Sequence, residues 1–71
     1  MNQDITGHYR HYKGNEYEVL GEGTHTETEE RLVVYKALYE PFNIWVRPYN
    51  MFFESVTVDG QEVPRFTKVD T

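Results

Sequence analysis

Apolar positions are densest between residues 31 and 54, RLVVYKALYEPFNIWVRPYNMFFE, a stretch that also holds the only tryptophan, Trp45. Within it, Leu32 to Tyr39 reads Leu, Val, Val, Tyr, Lys, Ala, Leu, Tyr. These are mostly branched and aromatic side chains, which suit a pleated strand. A helix opening at Thr26 competes with that strand, because Thr26 and Glu29 have the spacing of a capping box. Such a helix would run into Pro41 and be apolar nearly all round, more than so short a chain can bury. In the strand, Val33, Tyr35, Ala37 and Tyr39 share one face, and Leu32, Val34, Lys36 and Leu38 the other. A turn through Glu40, Pro41, Phe42 and Asn43 leads to a second strand, with Ile44 and Val46 on one face and Trp45 and Arg47 on the other. Both faces are largely apolar and need two covers. The inside of a small barrel provides one, and a terminal segment, a partner chain or a ligand the other.

The rest of the chain supplies further short strands. Gly7 to Tyr12 alternates aromatic and cationic groups, Lys13, Gly14 and Asn15 make a turn, and Glu16 to Leu20 alternates again, which predicts a hairpin with Tyr17 and Val19 toward the core. Gly21 and Gly23 permit a bend or bulge. Glu22 to Glu30, polar and acidic, reads as the longest loop. Pro48 fits the start of a helical turn near residues 48–53, which would pack Met51, Phe52 and Phe53 as a plug beneath the sheet. Glu54 to Val58, a turn at Asp59 and Gly60, and an edge strand from Gln61 to Phe66 complete the pattern. The expected fold is mainly β: a small SH3-like barrel of five or six short, mostly antiparallel strands, with an OB-like barrel as the alternative. No linker or repeat divides residues 1–71, so a single domain is expected, with an ordered core at about 7–66 and frayed ends.

A chain of 71 residues buries only about 60% of its unfolded surface, which leaves little room for a deep cavity. The absence of cysteine removes disulfides, thiolate nucleophiles and cysteine metal sites. No leader-like start and no apolar run near the ~20 residues of a membrane span is present, so a cytoplasmic protein is expected. The formal charge of −5 disfavours a nucleic-acid partner.

The segments YRHYKG at Tyr9 to Gly14, HTET at His25 to Thr28, VVYKALY at Val33 to Tyr39, WVRP at Trp45 to Pro48, MFFE at Met51 to Glu54 and PRF at Pro64 to Phe66 follow one another in an order that resembles a family of short bacterial proteins. That family is catalogued only as a domain of unknown function. The resemblance covers about residues 7 to 66, and it implies no activity.

Candidate chemistry is sparse. His25, Glu27, Glu29 and Glu30 gather in the acidic loop, where a histidine beside carboxylates suits proton transfer or a metal, while turn-forming Thr and Glu side chains in water explain the same residues. The His25, any residue, Glu27 spacing opens a zinc-deaminase motif, which is void without its paired cysteines. His8 and His11 point to opposite faces of a strand and do not chelate. Ser55 is the only serine and has no evident base. No catalytic residue, metal site or cofactor is therefore assigned. A binding surface is the stronger expectation. Trp45 and Arg47 share one face, Tyr35 and Tyr39 lie opposite them if the two central strands pair through a tight turn, and His25 and Glu27 add a polar rim. Such a floor suits a planar or cationic group, a carboxylate or phosphate held by Arg47, or an extended peptide. The same aromatics could instead form the core, with Arg47 paired to a glutamate. The expected function is a noncatalytic binding module for a small molecule, protein or peptide. A small hydrolase using His25 and Glu27 and a self-assembling protein, hence a monomer or a homodimer, are the alternatives.

Overall fold

The computed structural model describes residues 4–69. Strand β1 (Gly7–His11) turns into β2 (Glu16–Thr24), β2 pairs with β3 (Arg31–Ala37), and β3 with β4 (Ile44–Pro48), each antiparallel to the last. One helical turn, α1 (Tyr49–Phe52), is followed by a hairpin of β5 (Ser55–Val58) and β6 (Gln61–Pro64). Strand β7 (Phe66–Lys68) then returns to pair antiparallel with β1. The larger sheet has the order β4-β3-β2-β1-β7, and β5-β6 forms a second sheet.

The domain is mainly β, as the alternation predicts, and Leu32 to Ala37 is strand rather than helix. Among the described residues no ladder joins β4 to β7, so the larger sheet has two edges. The strands number seven because the expected closing strand breaks at Arg65. There the backbone N–H donates to the Glu54 carbonyl at 3.0 Å, and the guanidinium reaches the Met51 carbonyl and the Glu54 carboxylate. The acidic loop is shorter than expected. A bulge at Leu20 shifts the register between Val19 and Gly21, and the ladder then continues until Thr24 faces Arg31. Asp59 and Gly60 have φ of 52° and 80°, the left-handed pair of a two-residue hairpin turn.

The core lies on one face of the large sheet. Tyr9, Tyr17, Val19, Val33, Tyr35 and Ala37 point into it from β1 to β3, and Phe66 from β7. Phe52 on α1 covers them: it is fully buried, with its ring parallel to that of Phe66 at 4.0 Å and edge-on to Tyr9 and Tyr35. The plug is narrower than expected, since Met51 and Phe53 remain exposed. Side chains fan out by roughly 100° per residue around a helix, so a single turn aims only one of three neighbours at the sheet. Phe53 still lies edge-on to Phe52 and Tyr9. The packed body also extends beyond residues 7–66. Ile5 is buried and its carbonyl accepts from the Tyr9 hydroxyl at 3.0 Å, while β7 runs to Lys68. The frayed ends expected from the sequence fall partly on residues 1–3 and 70–71, which lie outside the described residues.

Candidate functional site

The pairing of β3 with β4 sets Tyr35 opposite Trp45 and Val33 opposite Arg47. Residues directly opposite in an antiparallel pair point to the same face, so Trp45 and Arg47 extend the core face outward along the edge strand. Tyr39 lies past the end of β3 in the β3-β4 turn, where its hydroxyl meets that of Tyr17 at 2.8 Å. Tyr17, Tyr35, Tyr39, Trp45 and Arg47 thereby line one open pocket of about 220 Å³.

The pocket has a buried floor and an exposed rim. Tyr17 and Tyr35 are buried, edge-on to each other at 5.4 Å, whereas Trp45 and Tyr39 are 48% and 40% exposed. Burial, and then the hydrogen bond and proximity of Tyr39, push the Tyr17 phenol up to about 12, so it stays neutral at physiological pH. Arg47 donates through Nε to the Tyr35 hydroxyl at 3.2 Å and lies 5.8 Å from the Phe66 ring. No described carboxylate lies within 4.0 Å of it. A half-buried positive charge thus borders the pocket, and its two terminal nitrogens have no hydrogen-bond partner among the described residues.

Four of the six expected site residues, Tyr35, Tyr39, Trp45 and Arg47, meet in this pocket, and His25 and Glu27 do not line it. The loop that holds them joins the far end of β3: Arg31, beside the loop, is four residues from Tyr35, about 13 Å along a strand. His25 is occupied in shaping that loop, with its Nδ1 accepting from the backbone N–H of Glu27 at 3.1 Å and of Thr28 at 3.3 Å. Among the described residues no three histidine, aspartate or glutamate side chains converge as a metal site would require. Tyr17 is the wall that sequence reasoning missed. Its alternation places it correctly on the inward face, but only the ladder that sets it opposite Ala37 brings it to Tyr39.

A second groove, of about 400 Å³, runs between β1 and the β5-β6 hairpin, lined by Arg10, Tyr12, Val58 and Val63 among others. His11 also borders it. Burial first, then the charges of Arg47, Arg65 and Lys13, hold its imidazole below its ordinary value, and its Nδ1 accepts from the Lys13 N–H at 3.1 Å.

The family model described as "Protein of unknown function (DUF1653)" matches residues 7–68. The chain belongs to the DUF1653 family. The crystal structure of a DUF1653 protein from Bordetella bronchiseptica is 38% identical, covers 90% of this chain and 85% of its own, and superposes with a TM-score of 0.83. No curated protein matches the chain. DUF1653 is a family without an assigned activity, as the motif resemblance implies. No helix among the described residues of this DUF1653 chain is long and apolar enough to cross a membrane.

Proposed function

We propose that this DUF1653 chain is a cytoplasmic, noncatalytic binding module of SH3-like type, whose pocket takes a flat or apolar group bearing a carboxylate or phosphate. The observation that carries this is the environment of Arg47: a guanidinium whose terminal nitrogens have no hydrogen-bond or carboxylate partner among the described residues, with exposed aromatic rings beside it. A guanidinium placed this way is open to an anion, and its planar fork binds carboxylate or phosphate oxygens in pairs. Trp45 and Tyr39 supply apolar contact at little conformational cost. Hydrolysis by the His25 loop is disfavoured, since Glu27 engages His25 through its backbone N–H and not through its carboxylate.

As the only tryptophan, Trp45 reports on the pocket without a label. Titration with benzoate and with phenyl phosphate should shift its emission saturably at millimolar concentration, and benzyl alcohol, which lacks the charge, should bind about tenfold more weakly. Arg47→Gln should erase that preference while leaving the unliganded emission unchanged. Equal binding of charged and uncharged probes, or no response to either anion, refutes the proposal.

A further inference from the structure

Strand β4 is an edge of the large sheet, and its free side can be deduced from the ladder. The Ala37 N–H donates to the Asn43 carbonyl at 2.9 Å, which makes 37 and 43 a hydrogen-bonded pair. Antiparallel ladders alternate hydrogen-bonded with non-bonded pairs. With the register Lys36↔Ile44, Tyr35↔Trp45, Val34↔Val46, Val33↔Arg47 and Leu32↔Pro48, Trp45 and Arg47 spend their backbone groups on β3. Ile44 and Val46 turn theirs outward, and among the described residues neither has another backbone partner. Pro48 belongs to the outward set too, so the N–H it lacks is one that would have faced open water.

The two edges of the sheet differ. Strand β7 has three residues and ends in Lys68, short and charged in the manner of a guarded edge. Strand β4 carries no lysine and no bulge, and it exposes Ile44 and Val46 to 61% and 60% on its outer face. Trp45 and Arg47 stand on the other face, at the pocket. An open backbone ladder flanked by apolar side chains, with a specific pocket beneath alternate positions, is the arrangement by which sheets take up extended peptides.

We infer that β4 binds an extended peptide as an added antiparallel strand, with an acidic residue opposite Arg47 and apolar residues opposite Val46, Trp45 and Ile44. This rests on the anion-binding reading of the pocket and names its ligand class. Antiparallel direction fixes the order within the peptide: acidic, apolar, bulky apolar, apolar. The acidic side chain falls opposite Arg47 on the pocket face, within about 5 Å between Cβ atoms, and the bulky one falls opposite Trp45. The residue between them and the residue after the bulky one cover Val46 and Ile44 on the outer face and exchange hydrogen bonds with them. A second copy of the chain fits this edge less well. Two-fold pairing about Val46 sets the two Arg47 residues on one face as diagonal neighbours, roughly 7–8 Å apart. It also brings together two chains of charge −5 across a five-residue strand, a contact far smaller than the ~1,200 Å² of a stable interface.

The test uses the capped hexapeptide Thr-Asp-Val-Phe-Val-Thr, titrated against the whole chain by Trp45 emission, with benzoate as a parallel titrant. N-methylation of the first valine, which pairs with Val46, should weaken binding about tenfold or more, because it removes a ladder hydrogen bond and sets a methyl group in its place. N-methylation of the aspartate, whose N–H faces away from β4, should change binding less than about twofold, and Asp→Asn in the peptide should weaken it about tenfold. Equal effects of the two N-methyl groups, or a response to benzoate with none to the peptide, overturn strand addition and leave the pocket reading standing. Silence toward both ligands overturns both. A concentration-dependent dimer by light scattering that the peptide cannot dissociate also overturns the inference, since the edge would then belong to a second copy.

Discussion

Phe52 is where the fold can be tested most sharply. It is fully buried, it stacks on Phe66 at 4.0 Å with the rings only 3° from parallel, and it is the buried residue of α1. Truncating a buried phenylalanine to alanine costs about 3–5 kcal/mol. A chain of 71 residues, at roughly 0.05–0.15 kcal/mol per residue, holds only about 4–11 kcal/mol in total. Phe52→Ala should therefore remove from about a quarter to all of that stability. Phe52→Leu is the more informative change. It keeps most of the volume but loses the ring contacts, worth about 0.5–1.5 kcal/mol, and leaves a small void, for a total of roughly 1–2 kcal/mol. With a urea slope near 1 kcal/mol per molar for so small a protein, the midpoint should fall by about 1–2 M, followed by Trp45 emission. Phe66→Leu should cost a similar amount, and the double variant should cost less than the sum by about the value of the shared stack. A Phe52→Leu midpoint within about 0.3 M of the parent, or strict additivity of the pair, would refute this account of the core.

Two further predictions concern titration and the acidic loop. Tyr17 holds its proton to about pH 12 in the folded state but to about 10 when unfolded. The native state thus binds the proton more tightly, and the associated stability is complete below pH 10 and lost as pH rises toward 12. Melting temperature should drop across that window in the parent and drop less in Tyr17→Phe; parallel curves would remove Tyr17 as the cause. His25→Ala should lower the melting temperature by only a few degrees, because water can replace the two loop hydrogen bonds that end on its exposed imidazole. Benzoate binding should be unchanged, and its loss would put the loop back in the site.

The parts of this molecule that could be read from the chain are those fixed by local alternation. The inward positions of Tyr17, Val19, Val33, Tyr35 and Ala37, the turns at Gly14 and Gly60, and the bulge beside Gly21 follow from strand period and glycine freedom alone. What the chain did not disclose depends on pairing between distant segments. The ends of the acidic loop depend on how far β2 and β3 stay in register beyond the bulge, and the break at Arg65 on Glu54 and Met51 accepting its hydrogen bonds. The polar rim expected of His25 and Glu27 does not reach Trp45. They were separated by which end of β3 each adjoins, a fact of topology that side-chain type does not encode.

Trp45 illustrates how one pattern yields both core and site. The alternation that buries Val33 and Tyr35 continues across to β4, so Trp45 and Arg47 lie on the buried face by period. They stay partly exposed because β4 is the last strand and, among the described residues, no neighbour closes over them. An apolar face that runs past the end of its own cover is costly in water, and an edge backbone without partners adds unpaired donors and acceptors beside it. The extended segment proposed above would meet both demands at once, pairing with Ile44 and Val46 while placing alternate side chains over Trp45 and Arg47. On the strand-addition proposal the pocket and the open edge act as one site, because a ligand that satisfied only the pocket would leave the backbone of β4 exposed.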